Sequence, residues 1–171
     1  MFNAFYPDED FESSYDIPYK EYFNRGYRSI IFDIDNTLVP HGAPANARSI
    51  ALFDKLKQIG FDILLLSNNK QERVDMFNAS VQVHTIHKAG KPLTKNYLRA
   101  MEILHTDRDS TLFIGDQLFT DIYGAKRAGI HTILVKPLDP HEEIQIVLKR
   151  VLERIVLFFY HRKKDGQLSN D

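Results

Sequence analysis

The sequence predicts an α/β fold: a doubly wound, mostly parallel sheet with helices on both faces. Three observations lead there. The strand-like segments 29–32, 61–66 and 111–114 are near-continuous apolar runs, as expected of strands covered on both sides. Strand-like and helix-like segments alternate along the chain, the pattern of parallel crossover units. Three of the strands finish in polar or acidic residues: Asp33-Ile34-Asp35, Ser67-Asn68-Asn69 and Gly115-Asp116. In open parallel sheets, ligands bind beyond the carboxyl ends of the strands.

The elements follow in order. Residues 1–28 are polar and aromatic, punctuated by Pro7, Pro18 and Gly26, and read as an N-terminal arm with one short helix over Tyr19 to Asn24. After the first strand, Pro40, Gly42 and Pro44 mark a loop. Ile50, Phe53 and Leu56 at helical spacing predict a helix from Ala45 to Ile59, stopped by Gly60. A second strand spans Phe61 to Leu66, followed by a short helix, Gln71 to Asn78, and a short strand, Val81 to Ile86. Leu93, Leu98, Met101 and Leu104 predict a helix from Leu93 to His105. A strand over Thr111 to Ile114, a helix over Asp121 to Ala128 and a strand over His131 to Val135 complete the alternation. Pro140 opens a long final helix reaching Tyr160. The expected domain is 29–160, and 161–171 is a polar tail.

Composition bounds the function. A length of 171 residues suits one domain with one sizeable core. The net charge of −1 provides no basic field for nucleic acid, and none is expected as a partner. With no cysteine there is neither a disulfide framework nor a thiolate metal site. No secretory leader and no membrane span is visible, which predicts a cytoplasmic protein.

The stretch Asp33-Ile34-Asp35-Asn36-Thr37 carries most of the chemistry. Side chains two apart in a strand share one side, so Asp33 and Asp35 are expected to aim at one spot past the strand end. Two carboxylates that close need a proton or a cation between them, and a hard divalent ion such as Mg2+ suits oxygen ligands. One aspartate is then free to act as nucleophile and the other as acid and base. The bland alternative is an Asx-type turn.

Four segments, in order, resemble the motifs of the haloacid dehalogenase (HAD) superfamily of phosphotransferases: Asp33 to Thr37, Ser67 after three leucines, Lys91-Pro92, and Gly115-Asp116 followed by Asp121. The resemblance covers roughly Ser29 to Pro137. It implies Mg2+ as cofactor and a phosphorylated substrate. It implies Asp33 as nucleophile, Asp35 as acid then base, and Lys91 as the charge that neutralises both nucleophile and phosphoryl group. Thr37, Ser67, Asn68 and Lys91 are implied to hold substrate, and Asp33, Asp35 (by its carbonyl) and Asp116 to hold metal, with Asp121 either a further metal ligand through water or a group that orients Lys91. Each residue alone has a plainer reading: Ser67 as a helix cap, Lys91 as a loop lysine with Lys88 as competitor, and Asp121 as a stabiliser of its own helix N-terminus.

The gaps between motifs are too short for an inserted cap domain, so the site is expected to be open. Tyr6-Pro7-Asp8, Asp16-Ile17 and Gly115 to Asp121 resemble the YqeG-type branch of subclass IIIA, which includes phosphatidylglycerophosphate phosphatases. That resemblance implies a phospholipid headgroup as substrate. A soluble or protein-bound phosphate ester and a non-enzymatic phosphate-sensing scaffold are the alternatives. Ile144, Val147, Leu148, Val151, Leu152, Ile155 and Phe159 make the final helix amphipathic, with Lys149, Arg150, Arg154, Arg162, Lys163 and Lys164 close by. Such a helix suits peripheral contact with a membrane, core packing, or a homodimer contact.

Overall fold

A computed structural model describes residues 3–139 and 153–162. Its strands are β1 (Glu9–Phe11), β2 (Ser29–Phe32), β3 (Asp62–Leu66), β4 (His84–Ile86), β5 (Thr111–Gly115) and β6 (His131–Val135). They form one sheet in the order β1-β6-β5-β2-β3-β4, and every neighbouring pair is parallel. All four residues of β2 are buried. The pleat sends Ile30 and Phe32 into one core and Ile31 into another, and a strand covered on both faces has no use for polar alternation.

The first core is closed by α1 (Tyr19–Asn24), α2 (Ala47–Ile59) and α3 (Gln71–Val81), through Tyr19, Tyr22, Phe53, Leu56 and Phe77. The second is closed by α4 (Lys95–Leu104) and α5 (Tyr123–Arg127), through Tyr97, Met101 and Ala125. Helices on both faces make the sheet doubly wound. Between Thr37 and Ser67 lie only a loop, α2 and β3, and between Ser67 and Lys91 only α3 and β4, so neither interval holds a cap domain.

Several boundaries differ from expectation for local reasons. α2 starts at Ala47 because Asn46 and Ser49 bond reciprocally, each backbone N–H donating to the other's side-chain oxygen at 2.9 Å. α3 runs on to Val81, since Phe77 and Val81 are buried and the Asn78 amide bonds both the N–H and the C=O of Val83. β4 is therefore short. The expected helix from Asp121 is preceded by a π-helical turn, Leu118–Ile122, in which the Ile122 N–H reaches the Gln117 carbonyl at 3.2 Å.

The segment read as an arm supplies more than its short helix. Its β1 adds a parallel edge strand beside β6, pairing Glu9 with Ile133. The Asp8 carboxylate accepts from the Thr132 N–H at 2.8 Å and from Lys126 at 2.9 Å, and the Tyr22 hydroxyl donates to Glu9 at 2.7 Å. At the other end, residues 153–162 are helical (α6). Val156 packs with Leu118, Ile122 and Leu134. His161 and Arg162, expected in the polar tail, continue the helix, while the rest of the expected final helix, residues 140–152 with Ile144, Val147, Leu148, Lys149, Arg150, Val151 and Leu152, lies outside the described residues, as do residues 163–171 with Lys163 and Lys164. Among the described residues no helix is long and apolar enough to cross a membrane.

Candidate active site

The strand order reverses at β2: β3 and β4 build outward on one side, β5, β6 and β1 on the other. This is the switch point at which such sheets open a crevice past their carboxyl ends. Asp33 leaves β2 there, Ser67 leaves β3, and Asp116 leaves β5.

A buried charge cluster fills the crevice. Lys91 Nζ donates to Asp33 Oδ1 and to Asp121 Oδ1, both at 2.6 Å, and its side chain is only 3% exposed. Asp33, Asp116 and Asp121 bring one carboxylate oxygen each within 4.8 Å of one another. Three carboxylates face one ammonium, so two negative charges stand in excess when all are ionised. Burial pushes the Asp33 carboxyl up to about 7; the Lys91 ammonium pulls the other way, and Asp121 adds to the rise. Burial alone would lower Lys91, but the Asp121 and Asp33 carboxylates outweigh it and hold the ammonium above its usual range. Both partners of this pair thus move up. The common cause is excess negative charge in a dry place, with Lys91 remaining charged. Hard oxygen donors in a buried, net-negative crevice suit a divalent cation.

The supports of the cluster are local. The Asp121 carboxylate also accepts from the Gln117 N–H at 3.0 Å, and the wide π-helical turn sets it beside the backbone of Gly115. A Cβ at position 115 would sit 2.6 Å from Asp121 Oδ2, so only glycine admits this approach. Tyr97, from α4, donates its hydroxyl to the Thr120 carbonyl at 2.7 Å. Thr37 donates to Asp116 at 3.3 Å. Asn68 clamps the Lys91 backbone, accepting from its N–H at 2.7 Å and donating to its C=O at 3.2 Å. Ser67 is buried, and its hydroxyl oxygen accepts from the Asn69 N–H at 3.2 Å. Lys88, the competing lysine, is exposed.

Asp33 and Asp35 lie close enough for the Asp35 carboxylate to add to the rise of the Asp33 pKa, but they have different hydrogen-bond partners. β2 ends at Phe32, and Asn36 takes a left-handed backbone at φ 62°, so the two-residue strand period does not extend through Asp35. The Asp35 carboxylate instead accepts from the Gly42 N–H at 2.7 Å, from Asn69 at 2.7 Å, and from Arg73 at 2.8 and 3.2 Å. Its side chain stands outside the Asp33–Asp116–Asp121 group. Arg73 and Asn69 were not legible as site residues: Asn69 read as a turn residue, and Arg73 is one of many surface-type cations on a helix. His41 lies at the rim, 3.9 Å from Asp35 and largely exposed. Beside Asp116, a cavity of about 650 Å³ opens between the ends of β1 and β6 and α6, with Phe11, Val135, Pro137 and Leu157 in its wall.

A family model described as HAD-hydrolase-like matches residues 88–137. The chain is 36% identical over 160 residues to the probable phosphatase YqeG of Bacillus subtilis, covering 93% of both chains. It is 28% identical over 160 residues to phosphatidylglycerophosphate phosphatase 1 of Arabidopsis thaliana, covering 81% of this chain and 43% of that one. Among solved structures, the magnesium-bound HAD-hydrolase YfnB of Bacillus subtilis superposes with a TM-score of 0.53 at 15% identity, over 67% of this chain and 90% of that one.

Proposed function

The chain belongs to the HAD superfamily of phosphatases, in the subclass IIIA branch of YqeG, and is a phosphoric monoester hydrolase; on that premise we propose that it works through an aspartyl-phosphate, with Mg2+, on a phospholipid headgroup. The observation that carries the mechanism is the buried Asp33–Lys91–Asp121–Asp116 cluster at the switch point.

In this reading Asp33 attacks phosphorus as its pair to Lys91 holds it in place, and the bond to the leaving oxygen breaks. Asp35 gives that oxygen a proton. Water then attacks the aspartyl-phosphate, Asp35 takes back a proton, and Asp33 is regenerated. Arg73, Asn69 and the Gly42 amide hold Asp35 in its starting position, and the proton step requires part of that grip to loosen. Lys91 offsets charge on nucleophile and phosphoryl group, where electrostatics dominates phosphoryl transfer. Ser67, Thr37 and Asn68 line or brace the phosphoryl site. Asp33, Asp116 and Asp121 with the Asp35 carbonyl would hold Mg2+, which would supply Lewis-acid charge for the phosphoryl oxygens.

The lipid substrate draws support from the relative named a phosphatidylglycerophosphate phosphatase, from the absence of a cap, and from the largely apolar cavity beside Asp116. The test is phosphate release from phosphatidylglycerophosphate in mixed micelles with Mg2+, against Asp33→Asn. Release by the wild type alone is expected. Appreciable turnover by a clean Asp33→Asn preparation would overturn the covalent mechanism. Turnover of soluble esters without release from the lipid would overturn the substrate.

A further inference from the structure

We propose that the outer face of α6 docks on an anionic lipid bilayer. At 3.6 residues per turn, Glu153, Val156, Leu157 and Tyr160 share one side of this helix, and Ile155, Phe158, Phe159 and Arg162 the opposite side. The inner side is tied down. Glu153 accepts from the Leu118 N–H at 2.9 Å, Val156 is buried, and Tyr160 donates to Asp10 at 3.2 Å and packs its ring on Tyr6.

The outer side is apolar and exposed. Ile155, Phe158 and Phe159 are 50%, 59% and 46% exposed, and the two phenylalanine rings meet edge to face at 5.6 Å. Three large apolar side chains on one exposed arc are what an interfacial helix presents to a headgroup layer. Charge names the occupant. Arg154 and Arg162 are exposed, and the single acidic residue of 153–162, Glu153, is turned inward. The sequence continues with Lys163 and Lys164. An anionic surface complements this face. A two-fold contact between copies would set the arginines against their own kind.

Docking in this orientation has a consequence for the site. Arg154, Leu157 and His161 of α6 line the cavity that borders Asp116, so the bilayer would lie against the helix that walls it. That further step, delivery of a headgroup to the metal-binding carboxylates, rests on the lipid reading above, whereas the docking surface stands on its own residues.

The experiment is co-sedimentation of the full chain with vesicles of phosphatidylcholine alone and of phosphatidylcholine mixed with phosphatidylglycerol. Hydrolysis of a soluble phosphate ester and molar mass by light scattering are read on the same samples. Binding to the mixed vesicles only, weakening with salt, is expected. Phe158→Glu with Phe159→Glu should cut binding at least about tenfold while ester hydrolysis and thermal unfolding match wild type. Arg154→Gln with Arg162→Gln should cut it roughly fivefold or more per charge and flatten its salt dependence. No sedimentation with mixed vesicles, or unchanged binding by the phenylalanine variants, overturns the proposal. A wild-type dimer that the phenylalanine variants split, without any vesicle effect, overturns it in favour of self-association. Loss of ester hydrolysis in the wild type would instead count against the phosphatase reading and leave the vesicle result standing.

Discussion

Replacing Lys91 with methionine isolates the charge at the centre of the cluster. The stem length is nearly kept, so little packing is lost, but Asp33 and Asp121 each lose a contact at 2.6 Å. Both carboxylates stay buried, at 9% and 1% side-chain exposure. Removing one partner of a buried pair costs about 3–5 kcal/mol, because the other charge is left uncompensated. For a chain of this size each kcal/mol moves the melting midpoint by about 2–4 °C, so a drop of roughly 6–20 °C is expected in the presence of a chelator. The deficit should shrink as pH falls. In the variant the unpaired carboxyls hold protons more tightly when folded than when unfolded, so the folded state gains stability on acidification. Adding Mg2+ should restore part of the loss, since a cation among the same oxygens replaces the missing charge. The assay is urea unfolding of wild type and Lys91→Met at pH 8 and pH 5, each with chelator and with Mg2+. A variant within about 0.5 kcal/mol of wild type at pH 8 in chelator would refute the view of Lys91 as the counter-charge of a buried anionic cluster, since surface substitutions fall in that range.

Two further outcomes follow from the same geometry. Gly115→Ala places a methyl group where the Asp121 carboxylate lies, 2.6 Å from its Oδ2; Mg2+ affinity should fall roughly 10- to 100-fold by calorimetry, with far-UV circular dichroism unchanged. The raised Asp33 pKa of about 7 makes ion binding pH-dependent: the carboxyl must lose its proton to ligate, so Mg2+ affinity should climb as pH rises toward 7 and level off above it, releasing up to about one proton per ion. Calorimetry in buffers of different ionisation heat at pH 6 and pH 8 reads this, and equal affinity with no proton release at pH 6 would rule it out.

The sheet and the cluster were legible because each was written in more than one way. The buried strands announced themselves as apolar runs, and the acidic or polar residues that end β2, β3 and β5 converge because parallel strands bring their carboxyl ends together. The grip on Asp35 was not legible. Arg73 sits in the first turn of α3 with nothing in its spacing to mark it, and its pairing across 38 positions depends on how the loop after β3 curls. The separate partners of Asp33 and Asp35 were not legible either, because β2 ends at Phe32 and both residues find their bonds through other segments. β1 was hidden for another reason. It has three half-buried residues, Glu9-Asp10-Phe11, and two of them are charged, as an edge strand allows and a propensity reading does not favour.

The pairing of β1 with β6 carries a cost in time. Glu9 leaves the ribosome early, while its partner Ile133 comes more than a hundred residues later. Until then the opening segment has no edge to join. Ser14 and Tyr15, just beyond that strand, donate to the carbonyls of Thr37 and Leu38 at 2.7 and 2.5 Å, so the segment that waits for the far end of the chain also braces the loop that follows Asp33. Contacts this distant in sequence are slow to close, and a nascent chain that carries all of Asp33, Asp35 and Lys91 would still lack the partner strand of β1. The last strand to form in the sheet thus captures the first one made, and a three-residue strand joins the two ends of the described fold.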